Sequence, residues 1–202
     1  MHRVIEPKIL YVGTPVVLVS TLNADGSANL APMSSVWWLG SSAMIGMSTR
    51  SHTFGNLARE QDTVINLPSD DLVDAVDRLA LTTGSATVPD YKLNMGYRHV
   101  TDKFALAGVT PQPSHEVAPP RVAECPLQVE SRVAEIRPLG PPEAHLASVQ
   151  LEVVKVHAHH AVLSPEGRHY VDPNKWRPLI MNFLEFYGLG GQIHPSRLAQ
   201  AM

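Results

Sequence analysis

A single cysteine, Cys125, in 202 residues leaves this chain no internal disulfide, no CxxC redox pair and no multi-cysteine zinc or iron–sulfur site. Long apolar runs are equally scarce. Pro15-Val16-Val17-Leu18-Val19 and the stretch 149–156 have the length of strands, far short of the roughly 20 apolar residues that cross a bilayer as a helix. Arg3 and Lys8 are followed by no continuous apolar segment with a small-residue cleavage site, so the expectation is a cytoplasmic protein that does not engage membranes. An excess of one charge is also missing. With 16 basic against 19 acidic residues the net charge is −3, and no basic run exceeds a pair, which gives bulk nucleic-acid binding no support. A GxGxxG turn after a strand, a Walker A loop, GxSxG and HExxH are all absent; Gly188-Leu189-Gly190-Gly191 comes too late to open a βαβ unit. What remains is 44% hydrophobic and 17% charged residues, the composition of a globular small-molecule protein, read as one domain over residues 1–202.

Residues 15–22 are apolar and β-branched, and Asn23-Ala24-Asp25-Gly26-Ser27 follows with the Asp-Gly signal of a hairpin, so a second strand should begin near Ala28. Further strands are expected over 43–48 and 63–67, the latter closed by Pro68. Between them Phe54, Leu57 and Ala58 have helical spacing within 53–60. Ser69-Asp70-Asp71 then supplies caps for a helix whose apolar positions are Leu72, Val73, Val76, Leu79 and Ala80. Prolines 89, 111, 113, 119 and 120 limit the next forty residues to an excursion, with a short helix over 102–107 ended by Gly108. Two long strands, 127–136 and 148–159, suggest a closed barrel. The tail, about 172–202, carries Leu179, Ile180, Phe183, Leu184, Phe186 and Tyr187, too apolar to fray, and should dock on its own barrel or on a partner subunit.

Two stretches carry chemistry. Ser48-Thr49-Arg50-Ser51-His52-Thr53 joins a strand to a helix N-terminus, where hydroxyls, unbonded backbone N–H groups and a guanidinium converge as a phosphate site would require; plain helix capping by Ser51 or Thr53 reads the same residues equally well. Asn29-Leu30-Ala31-Pro32-Met33-Ser34-Ser35-Val36-Trp37-Trp38 breaks a strand at Pro32. It sets small hydroxyls beside indoles, which suits a flat heterocycle with a polar edge; an edge strand with a turn is the plainer reading.

In order, residues 13–23, Asn29 to Ser35, Met47 to Thr53 with Asn56, and Val64-Ile65-Asn66-Leu67-Pro68 resemble the flavin reductase-like family of FMN-binding split barrels. The likeness continues through Lys103-Phe104, residues 107–110, Pro119-Pro120 and Ala123-Glu124-Cys125-Pro126, and covers roughly residues 10–160. It implies a mainly β fold with added helices, a six-stranded antiparallel Greek-key split barrel, forming a homodimer with FMN near the subunit interface. It also implies that Asn29, Ala31, Pro32, Met33, Ser34, Ser35, Val36 and Trp37 line the ring and ribityl chain, and that Ser48, Thr49, Arg50, Ser51 and Thr53 hold the phosphate. Asn56 and Asn66 match recurrent positions, although Asn66, in an apolar strand, equally well satisfies buried backbone. His157 falls where the family places a histidine of the late strand facing the flavin, and is the candidate catalytic contact to nicotinamide or substrate. His157 and His159 also share a strand face, but no third metal ligand is placed by the sequence.

The resemblance implies hydride transfer from NADH or NADPH to flavin, with reduced flavin or electrons passed to a monooxygenase or other acceptor. Trp37-Trp38 stands where smaller residues are expected, and an indole there would crowd the nicotinamide, which keeps open a flavoredoxin-like FMN carrier without nicotinamide turnover. A third reading is a split barrel that has exchanged flavin for another ligand such as haem. Trp176, Arg177 and Tyr187 of the tail are expected near the substrate side.

Overall fold

The computed structural model describes residues 1–165 and 171–197. In chain order the elements are β1 (Val12–Pro15), β2 (Val17–Leu22), β3 (Ala28–Met33), β4 (Val36–Leu39), β5 (Ser42–Ser48), α1 (His52–Glu60), β6 (Asp62–Leu67) and α2 (Val73–Arg78). There follow β7 (Thr82–Thr83), α3 (Asp90–Leu93), β8 (Arg98–His99), α4 (Lys103–Ala107), β9 (Pro111–Gln112) and β10 (Arg121–Val122). The long β11 (Leu127–Pro138) and β12 (Leu146–Ala158) come next, and a hairpin, β13 (Leu179–Asn182) and β14 (Glu185–Gly188), is the last regular structure among the described residues.

The 23–27 turn forms as its residues dictate: Gly26 takes φ +83, Ser27 donates its N–H to Asp25 at 2.9 Å, and Asn23 N–H reaches the Ser27 carbonyl at 2.8 Å. Seven strands make one antiparallel sheet in the order β3-β2-β6-β11-β12-β5-β4, one more than the six expected. The seventh is β4, where Val36, Trp37, Trp38 and Leu39 pair with β5. Its two edge strands, β3 and β4, are consecutive in the chain and separated only by Ser34 and Ser35. Met33 and Val36 are three steps apart and so at most about 10 Å, so the sheet must curl until its edges meet at that corner, which is the barrel. Pro32 does not break β3: it pairs with Leu18 at the sheet edge, where a missing N–H deprives no neighbour.

β2 is buried over most of its length because it separates two cores. Val17 and Val19 face the barrel interior with Ile45, Ile65, Val149 and Leu151, while Val16 and Leu18 face an outer layer with Leu30, Val76, Leu79, Phe104 and Leu179. Cys125 belongs to the outer layer, where burial pushes its thiol well above the ordinary range, a packing residue rather than a nucleophile. The helix expected from residue 69 begins as a 3₁₀ turn over Asp70–Leu72 without a side-chain cap, and α2 proper starts at Val73. The tail docks on its own chain: β13 pairs with β1, Arg177 bonds Asp70 at 2.8 Å, and Leu179 joins the outer core.

Candidate functional site

A cavity of about 410 Å³ opens at the rim of the outer layer, between β3, the N-terminus of α1, α2, the 81–103 excursion and the tail hairpin. One wall is apolar, with Val16, Val76, Leu79, Met181 and Phe186; the other is cationic. Ser51 caps α1, accepting the Phe54 N–H at 3.1 Å, and leaves the first-turn N–H groups of His52 and Thr53 ahead of the first intrahelical bond. Lys92 and Lys103 reach the same wall from the excursion.

Lys103 is the anomaly of the site. It is 3% exposed and, among the described residues, makes neither a hydrogen bond nor an ion pair. Burial and the neighbouring Lys92 depress its ammonium to about 8. Burial also lowers Lys92, and burial followed by the charges of Lys103 and Arg59 lowers His52. A buried cation with no counter-charge among the described residues costs the fold unless an anion completes it, so this wall could hold an anion. Behind it Asn29 donates to Thr21 at 3.1 Å and Thr53 at 3.3 Å, while its Oδ1 has no partner. Gly84 packs so close that a Cβ there would lie 2.5 Å from the His52 ring and 2.9 Å from Asn29 Oδ1, so only glycine lets the excursion seal this end.

Of the residues singled out in the sequence, Ala31, Pro32, Met33, Ser34, Ser51 and Thr53 line the cavity. Ser35 stands just outside, its hydroxyl 3.2 Å from that of Tyr11, which lines it. Val36 points into the barrel core, and Trp37 is 54% exposed. Trp38 packs on the inner core, so neither indole walls the cavity. Ser48 accepts the Arg50 N–H, and Thr49 donates its N–H to the His145 carbonyl at 2.8 Å. Arg50 reaches over the Tyr91 ring at 5.7 Å and contacts His145. Asn56, buried on α1 itself, does not line the cavity and is bonded to Thr21 and Asn23. Asn66 spans the backbone, donating to Leu18 O and accepting from Val122 N–H.

His157 sits elsewhere. It lines a second cavity of about 480 Å³ that shares no residue with the first, and its Nε2 lies 2.6 Å from buried Glu130. Trp176, Arg177 and Tyr187 do not line the first cavity; Met181, Leu184 and Phe186 of the same tail do. Sequence reasoning assigned no role to Lys92, Tyr97 or Met181, read Leu184 and Phe186 only as apolar docking residues of the tail, and met Lys103 only as part of a family motif. No spacing rule ties residues 92 and 103 to a helix start at residue 52; the excursion's path does.

Residues 10–186 match the family described as flavin reductase like domain. The chain is 39% identical to the uncharacterized protein YdfE of Bacillus subtilis (strain 168) over 189 residues, 94% of this chain and 90% of that protein. Its fold is similar to the flavoredoxin of Desulfovibrio vulgaris (Miyazaki F), TM-score 0.80 at 22% identity over 99% of this chain and 100% of that one. It is also similar to nitrilotriacetate monooxygenase component B from Bacillus cereus, TM-score 0.74 at 19% identity over 94% and 89% of the two chains.

Proposed function

Because this chain belongs to the flavin reductase-like family, we propose that it is an FMN-binding oxidoreductase that takes hydride from NADH or NADPH and passes reduced flavin or electrons to a partner in the cytoplasm. The observation that carries the choice of FMN is Lys103, a buried cation without a counter-charge beside a helix N-terminus and an apolar wall. FMN joins a flat ring system to one phosphate monoester, which matches a cavity with one apolar and one cationic side. When bound, it would supply the hydride-accepting chemistry.

The chain's own residues position it. Lys103, Lys92 and the N–H groups of His52 and Thr53 would hold the phosphate, and Thr53 is itself fixed by Asn29. Pro32 and Met33 against Met181 and Phe186 would hold the ring and exclude water, with Ser34 donating to its polar edge. Arg50 is committed to Tyr91 and His145 at the surface, so Arg50→Ala should weaken FMN binding by less than about tenfold, read by flavin fluorescence. A monooxygenase as acceptor is a role that the name of the Bacillus cereus neighbour suggests. A homodimer has support in β4, an edge strand that exposes Trp37 and Leu39.

The test is an anaerobic absorbance titration of the protein with FMN, then NADH, then NADPH. Bleaching of the visible flavin band at a catalytic rate is the expected result. Flavin that binds yet stays oxidised would favour the flavoredoxin-like carrier, a role that the name of the Desulfovibrio vulgaris neighbour suggests. Absence of flavin binding would overturn both.

A further inference from the structure

The tail hairpin turns through two residues that are poorly suited to turning. Asn182 pairs with Glu185, so Phe183 and Leu184 alone make the loop, and they adopt φ +48 and +73. Both central residues are therefore left-handed, as in a type I′ turn, whose preferred occupants are Asn and Gly. Large apolar residues pay for that conformation sterically, and they gain only partial burial in return: Phe183 is 52% and Leu184 58% exposed. Yet the turn is firmly held. Phe183 donates its N–H to the Tyr11 carbonyl at 2.7 Å, and β13 is paired with β1 along its length. Leu184 nevertheless lines the cavity, as do Met181, Phe186 and Tyr11. Strain kept at an exposed tip that overhangs a ligand cavity, with only partial burial to offset it in the free chain, points to a contact made only when the cavity is filled.

We propose that Leu184, presented by this turn, forms an apolar clasp over the bound flavin and sets how long it is retained, so that this turn decides between a resident cofactor and a released substrate. The inference rests on the FMN reading of the cavity. Leu184 would cover the ring from the solvent side, and the locked left-handed backbone would hold it there without an ordering cost at binding.

The double substitution Phe183→Asn/Leu184→Gly suits the turn and removes the clasp; Leu184→Ala keeps the strain and removes only the side chain. FMN dissociation is followed by stopped-flow fluorescence, and melting of the flavin-free protein by circular dichroism. The expected result is a rise in melting temperature for the double variant together with FMN release at least about tenfold faster, and release several-fold faster for Leu184→Ala. Unchanged release in both variants, with wild-type protein binding FMN, would overturn the clasp alone. Failure of the wild-type protein to bind FMN would overturn the clasp together with the reading beneath it.

Discussion

Replacing Lys103 with methionine is expected to cut FMN affinity by about tenfold to a hundredfold while making the flavin-free protein harder to melt. The two effects have one cause. In the free chain Lys103 is buried without a counter-charge and its ammonium is depressed to about 8, so carrying it charged into the fold costs on the order of 3 kcal/mol at neutral pH. Methionine has similar length and no charge, so that cost disappears. A phosphate against Lys103 gains a charge-assisted bond worth about 1.5–3 kcal/mol, and the substitution forfeits it. The pH dependence follows with a definite sign. Between about 8 and the ordinary lysine value of 10.5 the unfolded chain holds the Lys103 proton more tightly than the folded one, so this residue makes the flavin-free protein more stable as pH rises through that window. The increment should be absent in Lys103→Met and in the FMN complex, where phosphate keeps the proton on. FMN affinity of the wild-type protein should fall as pH climbs above about 8. Melting curves and fluorescence titrations across that range measure both, and a variant that loses stability yet keeps FMN would remove Lys103 from the site.

Glu130→Ala should lower the melting temperature by about 6–20 °C and leave FMN affinity unchanged at temperatures where the variant is folded. Glu130 is fully buried and accepts the N–H groups of His115 at 2.9 Å and Glu116 at 2.6 Å and the ring of His157 at 2.6 Å, with Arg121 at 3.8 Å. Burial alone would raise its carboxyl; the two backbone N–H groups and then His157 outweigh it and hold the group below its ordinary value. Deleting it leaves two N–H donors unpaired and removes the counter-charge of Arg121, which is 7% exposed and keeps its hydrogen bonds to Pro113 O and Gln128 Oε1, a loss of about 3–5 kcal/mol. The depressed carboxyl contributes stability above its ordinary value of 4.5 that is lost as pH falls through its lower folded value, so acid unfolding of the variant should be shallower. The cavity lined by its partners His157 and Arg121 shares no residue with the first, which is why binding should be spared. A variant that melts normally but fails with NADH would instead place the His157 and Glu130 pair in the reaction, as the sequence had suggested for His157.

What this chain settles by sequence is local. The Asp-Gly turn at 25 and 26, the strand over 43–48 that is β5, and the capping of α1 by Ser51 depend on neighbours a few residues away, and such neighbours are legible in order. The ordered blocks from residue 13 to 126 likewise suffice to place the chain in its family, since they record backbone geometry repeated at fixed spacing. Long-range partners had to wait for the fold. Phosphate-like polarity was legible at Ser51 to Thr53, but its counter-charges come from Lys92 and Lys103, brought to α1 by an excursion whose prolines hide any period. Arg50, the obvious cation by spacing, turns outward to Tyr91 because its backbone leaves β5 before the helix begins. His157 carries the right residue type on the expected strand, and β11 pairing then sets it beside Glu130, in a different cavity. The tail announced itself as apolar, yet only its pairing with β1 decided that Leu184, rather than Tyr187, faces the cavity. Periodicity reports which side of a strand is buried; what lies opposite that side is set by how the sheet curls and by where distant loops cross it.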